Sequence, residues 1–123
     1  MTRNGRPALL VVEDEKLVRW SVREALKGLA RVRLAATAEK ALRTLEGPAR
    51  LDGLLVDVRL PGMDGLELAR QARRIRPGLK VFVMTAYDHD RAARDAFGVR
   101  AEAYLPKPFS LEVLRDMLAS HLP

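Results

Sequence analysis

Four apolar runs in this chain end on residues that can do chemistry. Glu13-Asp14 follows the first run, Asp57 the second and Thr85 the third, while Tyr104 and Lys107-Pro108 mark the end of the fourth. Three carboxylates are what a hard divalent cation needs, because Mg²⁺ binds through a few carboxylates, waters and phosphate oxygens. A lysine and a hydroxyl are donors for phosphate oxygens. An aspartate can itself accept a phosphoryl group as an acyl phosphate. Scattered along the chain, these residues meet only if the runs are parallel strands of one open sheet, whose C-terminal ends lie side by side around a crevice.

The intervening sequence supplies that scaffold. Ala8 to Val12, Leu51 to Val56 and Lys80 to Met84 are short apolar runs of the kind buried on both faces of a parallel sheet. Arg31 to Ala35 alternates instead, which predicts a more exposed edge strand, and Ala101 to Leu105 gives the fifth. Between them, apolar residues recur at helical spacing from Lys16 to Leu29, from a Thr37 cap through Leu45, from an Asp64 cap to about Arg74, from about Asp90 to Phe97 with Gly98 as stop, and from a Ser110 cap through about Leu118. Asp64 with Glu67 has the form of a capping box, and Asp14 is a candidate cap for the first helix. Five strands alternating with five helices predict an α/β, doubly wound (βα)₅ three-layer sandwich with right-handed crossovers.

Composition bounds the function. At 123 residues and 48% hydrophobic the chain makes one folded domain, read here as an arm at 1–7, a domain at 8–120 and an end at 121–123. No cysteine is present, so disulfides and thiolate metal sites are excluded. The lack of a long apolar run predicts no membrane span and a cytoplasmic protein. A net charge of +6 invites a nucleic-acid reading, but the basic residues fall mostly on the polar sides of separate helical segments, and aromatics are only 5% of the chain. The expectation is therefore no direct nucleic-acid binding by this domain.

The stretches LLVVEDEKLVRW, LLVDVRLPGMDGLEL, VFVMTAYD and AEAYLPKPF, in this order, resemble the receiver domain of bacterial two-component response regulators. The combination of Arg19-Trp20, DVRLPGMDG and MTAYD is most similar to receivers of sigma-54-dependent transcriptional activators. The resemblance implies a flavodoxin-like, CheY-like fold with a parallel sheet of order 2-1-3-4-5. It implies Asp57 as phosphoacceptor, taking its phosphoryl group from a sensor histidine kinase or a phosphotransfer protein. Mg²⁺ would be held by Glu13, Asp14, Asp57 and the backbone carbonyl of Arg59. Lys107, aimed by a cis bond to Pro108, and Thr85 would contact the phosphoryl group, and Ala86 would leave room for it. Thr85 and Tyr104 would form the switch. Arg59 and Tyr87 would flank the approach of hydrolytic water and tune phosphate lifetime.

The same resemblance implies a signalling switch with intrinsic phosphorylation and dephosphorylation chemistry rather than a metabolic enzyme, with transcription regulation as its output. It further implies a possible homodimer through the face formed by the fourth helix, fifth strand and fifth helix, around Arg91, Arg94, Glu102, Arg115 and Asp116. The last predicted helix closes just before Pro123, so the chain reads as a stand-alone receiver or as the receiver of a longer regulator with an effector domain. Arg100 stands where the family commonly has glycine, and arginine does not hold a positive φ cheaply, so this loop must turn differently. Two rival readings predict otherwise. A phosphorylation-independent interaction module predicts missing pocket residues, and none is missing; a small basic nucleic-acid-binding domain predicts clustered arginines and stacking aromatics.

Overall fold

The computed structural model describes residues 5–85 and 100–122. Five strands form one parallel sheet in the order β2-β1-β3-β4-β5: β1 Ala8–Val12, β2 Arg31–Ala35, β3 Gly53–Asp57, β4 Lys80–Thr85 and β5 Ala103–Pro106. Four helices lie among the described residues, α1 Lys16–Ala25, α2 Ala38–Glu46, α3 Gly65–Ile75 and α4 Leu111–His121. The helix expected between Asp90 and Phe97, with Ala86, Tyr87, Arg91 and Arg94, lies outside the described residues.

Alternation along the central strands sends successive side chains to opposite faces, and each face has its own core. Leu10, Val12, Leu54, Val56, Val81 and Val83 pack with α2 and α3. Leu9, Val11, Leu55, Phe82 and Met84 pack with α1 and α4. Every residue of β1 and β3 is buried, whereas β2 alternates between exposed and covered positions, as an edge strand does.

The caps at Thr37, Asp64 and Ser110 form, each side-chain oxygen accepting a helix N–H. Three expectations change. Asp14 does not cap α1; Glu15 occupies that position, without a side-chain bond. Glu67 does not complete a capping box, because its carboxylate is taken by Arg70 and Gln71. Finally, α1 stops at Ala25, and Leu26 to Leu29 turn through Gly28 at φ +82°. The apolar spacing ran on past the helix because Leu26 and Leu29 still pack into the core from this turn. Strand ends also shift: Asp57 is the last residue of β3 rather than just beyond it, and β5 begins at Ala103.

Candidate functional site

Parallel register brings the polar residues together. Val12 pairs with Val56 and Asp57 with Met84, so the Glu13-Asp14 loop, Asp57 and Thr85 emerge side by side at the C-terminal edge. Thr85 pairs with Pro106, and its carbonyl accepts from the Lys107 N–H at 2.6 Å, which fixes the β5 loop beside it. The Lys107–Pro108 bond is cis.

Glu13, Asp14 and Asp57 each place a carboxylate oxygen within 4.8 Å of the others. Glu13 is fully buried and Asp57 is 6% exposed, while Asp14 stands open at the mouth. Lys107 Nζ donates to Glu13 Oε1 at 2.7 Å and to Asp57 Oδ2 at 2.5 Å. Asp57 Oδ1 accepts from the Arg59 N–H at 2.9 Å, so the loop after β3 folds back onto the carboxylate.

One ammonium cannot neutralise three carboxylates. Burial, aided by Asp14 and the charge on Asp57 and opposed by the Lys107 hydrogen bond, pushes Glu13 up to about 7. Burial draws Lys107 down, but its bonds to Asp57 and Glu13 outweigh this and hold it above its ordinary value. An all-oxygen cluster with two buried acids, one exposed acid and surplus negative charge fits a hard dication. The donor set therefore fits Mg²⁺.

Two residues serve the site in ways the sequence pattern did not reveal. Arg19, read as a solvated helix residue, donates to the carbonyls of Glu13 at 2.9 Å and Asp14 at 2.8 Å, so it holds the acidic loop in place. Gly65, the residue after the Asp64 cap, starts α3 directly against β3. A Cβ there would lie 1.9 Å from the Asp57 carbonyl oxygen, and the Gly65 N–H donates to the Val58 carbonyl at 2.8 Å.

On the output side, Tyr104 is half-buried against the α2 and α3 core, and by register it shares a sheet face with Thr85. Arg115, expected on that surface, donates to the carbonyls of Ala25 and Lys27, toward α1. Glu102 is paired with Arg73 at 3.4 Å, and Arg73 also binds the Arg100 carbonyl. Arg100 keeps a negative φ, as its side chain requires.

Residues 9–119 match the model of the response regulator receiver domain. The chain belongs to that family. It is similar to the DNA-binding transcriptional regulator NtrC of Escherichia coli K12, 39% identical over 109 residues that cover 87% of this chain and 23% of the relative. It is also similar to the response regulator MprA of Mycobacterium ulcerans, 40% identical over 108 residues, covering 86% of this chain and 46% of the relative. The chain thus spans less than half the length of both relatives. Among solved structures, the response regulator TrrA of Thermotoga maritima in complex with Mg²⁺-BeF matches with a TM-score of 0.79 and 28% identity, over 93% of this chain and 97% of that one. This receiver carries the CheY-like fold, and Glu13 and Asp57 form its acidic pocket. No helix among its described residues is long and apolar enough to cross a membrane.

Proposed function

We propose that the receiver takes a phosphoryl group from a phosphohistidine onto Asp57, with Mg²⁺ held by Glu13, Asp14, Asp57 and the Arg59 carbonyl. The observation that carries this reading is the shared lysine: one ammonium bridges a buried acid and the candidate nucleophile at 2.7 and 2.5 Å. An Asp57 oxygen attacks phosphorus, the P–N bond breaks, and its electron pair stays on the departing imidazole. Lys107 turns from a partner of Asp57 into a partner of a phosphoryl oxygen, and Thr85 donates its hydroxyl to another. Bound Mg²⁺ supplies charge neutralisation for the transferring group. The added charge draws Thr85 toward the cleft, and Tyr104, on the same face, follows inward. The chain is then a switch, cytoplasmic with its kinase, and its output is control of transcription through an effector domain or through self-association.

A partner must deliver the phosphohistidine, and the rim of the cleft has a surface for it. Leu17 is 78% and Trp20 59% exposed on α1, and Leu111 and Val113 are exposed at the start of α4. Leu17, Val18, Phe109 and Leu111 line a concavity of about 360 Å³ that reaches Lys107. An apolar rim beside a charged cleft suits a docking protein.

The test is labelling with acetyl phosphate and Mg²⁺. Asp57→Asn is expected to take up none, and chelation of the metal should abolish uptake by the native chain; equal labelling of Asp57→Asn would refute the assignment. Trp20→Ala should slow transfer from a phosphohistidine protein while leaving acetyl phosphate labelling intact.

A further inference from the structure

Some basic side chains near the start of the strands are engaged by backbone carbonyls, but three arginines are not. Arg76 and Arg115 donate to backbone carbonyls. By contrast, Arg23, Arg31 and Arg33 have no ion-pair or hydrogen-bonded side-chain partner among the described residues. Together with Arg50 these three line one concavity of about 500 Å³ beside Ala8 and Thr44. The sequence pattern had placed its basic residues on separate faces; folding gathers these four.

The concavity lies at the edge strand and far along the sheet from the acidic cleft. Ala8 and Arg31 open β1 and β2, whereas Asp57 closes β3. Arg31 and Arg33 alternate with half-buried Val32 and Leu34, so they leave β2 on the α2 face, while Arg23 reaches the same edge from α1 on the opposite face and the concavity wraps the edge strand. Arg50 is held at 3.4 Å by Asp52, whose other oxygen accepts the Ala8 N–H at 2.7 Å, so that acid is already committed. All four arginines are exposed.

Charges on an edge strand ordinarily prevent strand-to-strand pairing, and scattered charges suffice for that. Like charges lining one concavity repel each other, with Arg50 alone partly met by Asp52, and an anion placed among them relieves the repulsion. Guanidinium groups match phosphate oxygens bidentately, better than they match isolated carboxylates on a flexible chain. The volume falls within the range of small-molecule sites, roughly 300–1,000 Å³, rather than describing a stripe for a polymer backbone. We infer that the β2 edge is a binding site for a compact oligophosphate anion, free or borne by a nucleotide.

Titration calorimetry of inorganic tripolyphosphate, adenosine triphosphate and a short DNA duplex into the chain, without Mg²⁺ and at about 0.15 M salt, tests this. Tripolyphosphate should bind one to one. Arg31→Glu or Arg33→Glu should weaken it about tenfold, while Arg74→Glu, the same charge change on exposed α3, should weaken it less than about twofold. If either reversal unfolds the chain, the neutral Arg31→Gln, Arg33→Gln pair should still weaken binding more than Arg74→Gln. Acetyl phosphate labelling of Asp57 should be unchanged in each folded variant. Tighter binding of adenosine triphosphate than of tripolyphosphate assigns the site to nucleotides, and equal binding assigns it to the free oligophosphate. Absence of binding, equal weakening by Arg74→Glu, or tighter binding of the duplex per phosphate overturns the inference.

Discussion

The two ends of the sheet treat charge in opposite ways. Where the strands begin, long basic side chains close the helices: Arg76 donates to the carbonyls of Leu45 and Gly47 at the end of α2, Arg115 to Ala25 and Lys27 at the end of α1, and Lys80 to His121 at the end of α4. Each meets orphan carbonyls and the negative end of a helix dipole, so each is favourable as it stands. Where the strands end, three carboxylates crowd one lysine. That arrangement costs stability in the metal-free chain, and the proposed cation and phosphoryl group would answer it. Unrelieved negative charge, crowded and buried, marks the working end.

The closest test of how the working end is built is Gly65. In Gly65→Ala the new Cβ falls 1.9 Å from the Asp57 carbonyl oxygen. The start of α3 must move, with a loss of more than about 3 kcal/mol in denaturant unfolding. A loss under about 1 kcal/mol would mean that α3 is not pinned to β3.

Much of this was legible in sequence, for a definable reason. Burial on both faces left continuous apolar runs for β1, β3 and β4, and the polar residues that end them were visible as Glu13, Asp14, Asp57 and Thr85. Caps at Thr37, Asp64 and Ser110 were visible because a cap is a local bond. Arg19, Arg76 and Arg115 were not, since a flexible side chain on a polar helix face carries no periodic signal of what it reaches. Arg115 and Ala25 are 90 positions apart. Gly65 carries no such signal either, because its tight contact with Asp57 exists only once α3 lies on the sheet.

Titration separates the two ends next. Glu13 stands at about 7 in the fold against an ordinary value of 4.5. A folded value above the unfolded one means that stability is full below pH 4.5 and falls as pH rises through 7, by about 3 kcal/mol at most, in metal-free protein. Glu13→Gln should flatten that slope in urea unfolding at several pH values. A wild-type profile that rises from pH 4.5 to 7 would contradict the buried acid.

A pair of substitutions should then give opposite signs. Asp57→Asn removes one of the crowded carboxylates, and without metal it should stabilise the chain by about 1–2 kcal/mol, Lys107 keeping Glu13 as its partner. Arg76→Ala strips the carbonyls of Leu45 and Gly47 of their donor and should destabilise by about 1–2 kcal/mol. Thermal unfolding of both variants decides the matter. Destabilisation by Asp57→Asn would mean that the acidic end is already balanced.

The smallest effect concerns how long a phosphoryl group survives there. Hydrolysis needs a water in line with the acyl phosphate, and anything covering that approach slows it. The Arg59 N–H is bonded to Asp57 Oδ1 at 2.9 Å, so the exposed Arg59 side chain springs from backbone fastened to the nucleophile itself. Tyr87, two residues beyond Thr85, is the other long side chain expected to flank the phosphoryl group. Shortening one and charging the other, in an Arg59→Asn, Tyr87→Glu double variant, should open the approach and speed loss of label about fivefold, about 1 kcal/mol of barrier. The measurement is decay of phosphorylated protein after the donor is removed, with Mg²⁺ constant. Arg59→Asn alone should give part of the gain if the two side chains shield independently. If the double variant loses phosphate no faster than the native chain, shielding is not what sets the lifetime, and the surplus charge at this end would then have to be answered by the cation alone.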